Sequence, residues 1–106
     1  MLLRTLHIAV ALCALSPVAH GQTSSAIVRG QELAERACAG CHAINGRQGS
    51  TILGTDVPSF RAIAARPNQT PQRLQGFIMT PHRPMPGIPL TLAEINDVAA
   101  YILSLK

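Results

Sequence analysis

Residues 38–42 read Cys38-Ala39-Gly40-Cys41-His42, two thiols separated by two residues, with an imidazole directly after the second. If this stretch closes a helix, positions 38, 41 and 42 stand three and four residues apart and project from one side of it. Two sulfurs and a ring nitrogen are thus presented together. Close-set cysteines have several common uses, and the rest of the chain has to decide between them. A zinc site wants two more Cys or His at ligand spacing, but after the first twenty residues the only other histidine is His82, far along the chain. A thioredoxin-like redox pair belongs in a strand-helix-strand setting, and the chain has no convincing alternation of apolar and polar residues to mark strands. A structural disulfide is possible for any such pair, but it does not use the histidine.

The pattern Cys-x-x-Cys-His is the one that attaches haem covalently. The two thiols each add to a vinyl group on one edge of the porphyrin, and the adjacent His42 falls beneath the iron and offers it an imidazole nitrogen. A large flat apolar body would also answer a shortage in the composition. The chain of 106 residues has no Trp, one Tyr and two Phe, a thin supply of bulky side chains for a single domain.

Upstream, Met1–Gly21 has the three parts of a secretory leader: Arg4 near the start, an apolar run from Ile8 to Leu15, and Ala19-His20-Gly21 with small residues three and one before a cut. The apolar run is interrupted by His7 and Pro17 and is shorter than the roughly 20 residues that span a bilayer. The expectation is a cleaved leader over 1–21, taking Cys13 with it, and a mature domain over 22–106 exported to the periplasm with no stable membrane insertion. Eight Lys and Arg then face five Asp and Glu, a formal charge of +3. The arginines are scattered rather than lined up along one face, which argues against a nucleic-acid partner.

Within the mature domain the spacing predicts helices. Ile27, Gly30, Leu33, Ala34, Ala37 and Cys38 recur at three- and four-residue steps over 26–39, with Glu32 and Arg36 placed to pair outside. Asn45 to Pro58 is loop chemistry rich in Gly, and a short helix is expected over 59–65. Thr70-Pro71 is a helix start, Thr as cap and Pro in the first turn; this helix should turn Leu74, Phe77 and Ile78 inward and end before Pro81. Prolines 81, 84, 86 and 89 with Gly87 forbid regular structure and leave a stiff loop. Thr91-Leu92-Ala93-Glu94 is a capping box, followed by an apolar stripe of Ile95, Val98, Ala99, Ile102 and Leu103. The fold class expected is all-α.

The iron's second axial position has three candidates: Met79, His82 and Met85. Met85 is the choice, because Pro84 and Pro86 preset its backbone and its thioether can be aimed at little entropic cost. Met79 closes an apolar helix, where a gap-filling core role is the default, and His82 is the runner-up. His42 and Met85 would then both ligate the metal, and a His-Met pair raises the reduction potential relative to His-His.

These residues together resemble the class I mono-haem bacterial cytochromes c. The likeness runs from about Ala26 to Lys106 and includes Gly30 eight residues before Cys38, the Cys-x-x-Cys-His site, Pro58-Ser59-Phe60, Met85-Pro86-Gly87-Ile88-Pro89-Leu90-Thr91, and Ala99-Ala100-Tyr101-Ile102. The resemblance implies a small fold of three to five helices around one covalent haem c, with the N- and C-terminal helices crossing where Gly30 meets Tyr101. It also implies electron transfer rather than enzymatic catalysis, with redox proteins as partners. Relatives often carry Gly-Pro some eight residues after the haem histidine, the proline carbonyl accepting the imidazole's hydrogen bond. Here the pair is Gly49-Ser50; a backbone carbonyl at Ser50 is one candidate for that role, and the sequence does not name the residue that orients the ring. Arg47 and Arg83 flank the two ligand segments; the first reading for each is an ordinary solvated arginine, and the second a contact for the haem propionates or an acidic partner. A soluble single-electron shuttle is the first expectation; the alternatives are a haem subunit of a larger periplasmic oxidoreductase, and a sensor or peroxidase in which Met85 leaves the iron.

Overall fold

No proline lies between Pro17 and Pro58, so a helix begun ahead of the polar segment at 22–25 meets no residue that must end it. In the computed structural model, which describes residues 19–45, 57–80 and 82–106, this is what happens. The first helix, α1, runs Ala19–Ala37, starting earlier than the apolar spacing alone predicts and stopping two residues short of Ala39. The expected leader falls largely outside the described residues. Three further helices follow, α2 over Phe60–Ala64, α3 over Pro71–Met79 and α4 over Leu92–Leu103. Among the described residues there is no strand; His82 and Met85 form an isolated antiparallel bridge. No helix among the described residues is long and apolar enough to cross a membrane.

Each later helix starts where a side-chain oxygen can replace a missing backbone partner. Ser59 accepts from Ala62 N at 3.1 Å and begins α2. Thr70 accepts from Arg73 N at 3.2 Å, with Pro71 in the first turn of α3. In α4 the exchange is reciprocal: Glu94 N donates to Thr91 Oγ1 at 3.3 Å, and Thr91 N donates to Glu94 Oε2 at 2.8 Å. Such caps satisfy donors that the helix itself leaves unpaired.

Helix α4 is the one element that packs on all three others. Its buried face is Ile95, Val98, Ala99, Tyr101 and Ile102, the stripe the spacing predicts with Tyr101 added and Leu103 at the margin. Leu74 of α3 is buried as expected, Ile78 is half-buried, and Phe77 is 46% exposed. Phe77 turns instead toward the cleft described below. The expected Glu32–Arg36 pair does not form; both side chains are exposed, where such pairs contribute little, and Arg36 lends its charge to Glu94 of α4 instead.

The crossing of α1 on α4 is set at Gly30. A Cβ at this position would lie 1.9 Å from the backbone oxygen of Asp97 and 3.0 Å from Tyr101 Cβ. Only a residue without a side chain permits backbones this close. Beside the contact Arg29 grips Asp97 through two bonds, Nε to Oδ2 at 2.7 Å and Nη2 to Oδ1 at 3.0 Å. The guanidinium is largely exposed, so the pair fixes register more than it adds stability.

Gly30→Ala should therefore force the helices apart and cost about 3 kcal/mol, read as a fall in Tm of roughly 12 °C or more; an unchanged Tm would refute the close crossing. Thr91→Ala should cost about 1 kcal/mol through the lost cap. The bonds from the Thr91 backbone and then its hydroxyl hold the Glu94 carboxyl below its ordinary range. A carboxylate depressed in the folded state stabilises above its unfolded pKa, about 4.3, and that contribution is lost as pH falls through the lower folded value. The stability gap between wild type and Glu94→Gln should accordingly narrow as an acid titration passes below that pH.

Candidate functional site

The site begins where α1 ends. Cys38 N and Ala39 N both donate to the Ala34 carbonyl, at 2.8 and 3.0 Å, and Cys41 N and His42 N both donate to the Cys38 carbonyl, at 3.1 and 2.9 Å. The chain thus tightens through one more turn, and this turn carries all three chemical groups. Cys38 is buried and Cys41 half-buried, both as free thiols. Burial, and secondarily the neighbouring Cys41, pushes the Cys38 thiol up to about 11.

His42 Nδ1 lies 2.7 Å from the Pro58 carbonyl oxygen. A carbonyl can only accept, so Nδ1 carries a proton, and in the neutral ring Nε2 is the nitrogen left to bind a metal. Pro58 is held in place locally: Phe60 N donates to the Ala43 carbonyl at 3.1 Å, next to His42, and Ser59 caps α2. The sequence leaves the ring's partner open, with the Ser50 carbonyl as one candidate, and Ser50 lies outside the described residues. The imidazole's partner is a proline carbonyl as the resemblance implies, but one sixteen residues downstream. The signal was present in Pro58-Ser59-Phe60, singled out by its likeness and not assigned a bond. The ring of His42 leans on Phe60 with centroids 5.4 Å apart, and Phe60 leans on Tyr101 at 6.2 Å. The ligand is thereby braced on the helix crossing.

Asn45 is a further functional residue that sequence reasoning left in a loop. It adopts φ 53°, the left-handed region that Asn tolerates better than most side chains. From there its amide nitrogen donates to Glu35 at 3.1 Å, and its amide oxygen accepts from the Tyr101 hydroxyl. It ties the segment after the Cys-x-x-Cys-His turn to α1 and α4 together. Burial and the nearby Glu35 charge raise the Tyr101 pKa, which keeps the phenol a donor.

In front of His42 opens a cleft of about 260 Å³ whose walls are mainly apolar, including Phe60, Ile63, Leu74, Phe77, Val98 and Ile102. A second hollow of about 140 Å³ shares Cys38, His42, Pro58, His82, Met85 and Ile88 with it and adds Cys41. Both thiols, the imidazole and Met85 therefore line one continuous recess. His82 lines it too, but its Nδ1 is 3.2 Å from the Thr80 carbonyl and its ring stands edge-on to Phe77. Met79 is 60% exposed at the end of α3 and lines neither hollow; it is not the core filler that its helix position suggests. Arg83 borders the thiol end, Arg47 lies outside the described residues, and Arg66, which the sequence did not single out, lines the main cleft with the buried Gln69.

Comparison with known proteins gives the same answer as the geometry. Residues 27–106 match the family described as cytochrome c. The chain belongs to the cytochrome c family. It is also 38% identical over 98 residues to cytochrome c-552 of Bradyrhizobium diazoefficiens, covering 90% of this chain and 92% of that protein. No solved structure gives a significant match. As a cytochrome c the protein carries a covalently attached haem c and transfers electrons; it is not an enzyme. The recess suits that group: apolar walls for the porphyrin faces, two free thiols at one end, and an imidazole whose second nitrogen is unencumbered.

Asn45→Ala should lose both amide bonds and strain a left-handed backbone, destabilising by about 2 kcal/mol. Asn45→Gly should relieve the strain and cost less. Chemical denaturation of the two variants checks the order, and equal costs would show that the backbone conformation is immaterial.

Proposed function

We propose that Cys38 and Cys41 would hold the haem by thioether bonds and that His42 Nε2 and the Met85 sulfur would ligate its iron. The observation that carries this reading is the shared recess, to which the turn after α1 contributes both thiols and His42 while the proline-framed loop contributes Met85. When bound, the haem supplies the one-electron couple. The protein's own groups do the remaining work. The Pro58 carbonyl keeps His42 in the tautomer with Nε2 free and raises its basicity as a ligand. Phe60 and Tyr101 stop the ring from turning, and the apolar walls exclude water from the iron's surroundings. Pro84 and Pro86 restrict the backbone on both sides of Met85, so its sulfur is presented with little conformational freedom left to lose.

The chain acts, in this reading, as an exported single-electron shuttle: residues 1–21 are removed as a leader, and residues 22–106 work in the periplasm between a redox donor and an acceptor. Residues 22–106 make up four fifths of the chain, so an alignment covering 90% of it runs back into the leader. The relative thus has a counterpart to part of that segment, which supports a shared export signal. A His-Met pair leaves the iron no open position for substrate, in keeping with carriage rather than catalysis.

The ligand assignment is tested on matured protein by optical and electrochemical comparison of three variants. Met85→Ala should abolish the weak red band of methionine-ligated ferric haem and lower the potential by a sizeable part of the roughly 0.8 V that axial ligation spans. Met79→Ala and His82→Ala should leave both nearly unchanged. Loss of the band in Met79→Ala with its retention in Met85→Ala would overturn the assignment.

A further inference from the structure

Glu35 stands on the exposed face of α1, three residues before Cys38, and Asn45 stands three residues after His42. Their side chains meet across the turn that carries both thiols and the imidazole. Asn45 Nδ2 donates to Glu35 Oε1 at 3.1 Å, and Gln31 Nε2, one turn back on α1, donates to the same oxygen at 3.1 Å. An exposed carboxylate that forms no ion pair with a described residue is therefore held by two amides, and it keeps a fixed place despite its exposure.

That fixed place has a directional consequence. An ionised carboxylate has lone pairs and no proton to give, whereas an asparagine amide offers NH2 on one side and oxygen on the other. With Glu35 in front of it, Asn45 must turn its NH2 that way. The reversed amide would set its oxygen against the carboxylate, two acceptors with no proton between them. The Asn45 oxygen is thus left on the far side, where it accepts from the Tyr101 hydroxyl. Burial and the Glu35 charge both raise the Tyr101 pKa, so the phenol keeps the proton it donates. The sense of each bond follows from the one before it, starting at Glu35.

The relay ends against the imidazole. Tyr101 packs on Phe60, and Phe60 on His42, while the Pro58 carbonyl holds the ring at Nδ1 alone. A single hydrogen bond leaves a ring free to rock about it, and packing on a fixed neighbour removes that freedom. We propose that Glu35 is a positioning residue for the haem ligand: its carboxylate sets the direction of the Asn45–Tyr101 relay, and the relay holds the His42 ring in one orientation. The inference rests on the reading of His42 as an axial ligand, and it adds a residue that lines neither hollow of the recess. Such outer support is one of the means by which a protein tunes a bound metal.

The relay uses the acceptor character of Glu35, not its charge at a distance. A glutamine has nearly the same shape but can present either NH2 or oxygen, so both senses of the Asn45 amide become available to Glu35→Gln. The test is proton NMR of the matured, haem-bearing protein in its ferric form, in which the pattern of haem-methyl resonances follows the orientation of the axial imidazole. Wild type should give one set. Glu35→Gln should add a second set or, where the two senses exchange quickly, displace the first. Glu32→Gln removes the same charge from the same helix and should leave the wild-type pattern. That pattern should also persist at about 1 M salt, where charges are screened beyond roughly 3 Å. In a Tyr101→Phe background the relay has lost its last bond, and Glu35→Gln should add no further change, the coupling that a double-mutant cycle measures.

A Glu35→Gln pattern identical to wild type would overturn the proposal. So would equal displacement by Glu32→Gln, which would make charge the cause, or an undiminished effect of Glu35→Gln without the Tyr101 hydroxyl, which would route it elsewhere. The reading of His42 as ligand fails separately, with its ring protons at ordinary positions in the wild-type ferric spectrum. The Asn45 side-chain amide signals then still decide the relay: signals that do not move between wild type and Glu35→Gln overturn it.

Discussion

A contact with no room for a methyl group organises this molecule. Where Gly30 meets the backbone of Asp97, α1 and α4 approach more closely than any side chain allows, and the two ends of the domain are fixed against each other. Everything at the site inherits its position from that crossing. The turn that carries Cys38, Cys41 and His42 follows directly from α1, two helical turns beyond the glycine, while α4 supplies the buried face against which the remaining helices pack. A small core with few aromatic residues can hold a single geometry in this way because its main crossing is specified by backbone contact and not by bulk.

From the crossing, order passes to the ligand through a short series of contacts. Tyr101, beside Gly30, donates to Asn45 and packs on Phe60. Phe60 packs on His42, and its own backbone nitrogen is tied to Ala43. Pro58, two residues before Phe60, then meets His42 Nδ1. The imidazole is held by one hydrogen bond and one ring contact, both anchored in elements that the crossing positions. A metal ligand needs this support from outside its own coordination, because tautomer and ring orientation decide whether the lone pair points at the metal.

What the sequence revealed follows from how local each signal is. The Cys-x-x-Cys-His pattern, the Thr91–Glu94 capping box and the Thr70-Pro71 helix start depend on residues within one helical turn, and each was legible. The pairing of Gly30 with α4 was legible only through family likeness, since nothing in the glycine itself names its partner. The imidazole's partner could not be named from the sequence because a backbone carbonyl leaves no mark in the residue type: Ser50 and Pro58 offer the same oxygen, and the fold brings the second to His42. Asn45 was read as loop because its role combines a left-handed backbone with two contacts, one ten residues back and one fifty-six ahead. Phe77 was assigned inward from periodicity, which places it on the correct side of α3 but cannot distinguish a core from the wall of a cleft.

The account turns on whether one porphyrin is joined to both sulfurs of this turn. The most direct measurement is mass spectrometry of the peptide containing Cys38 and Cys41, released by proteolysis from protein matured in a haem-attaching host. The expected mass is that of the peptide plus one haem, with both thiols resistant to alkylation. A peptide of bare mass, or one lighter by two hydrogens as a disulfide would make it, would contradict the account.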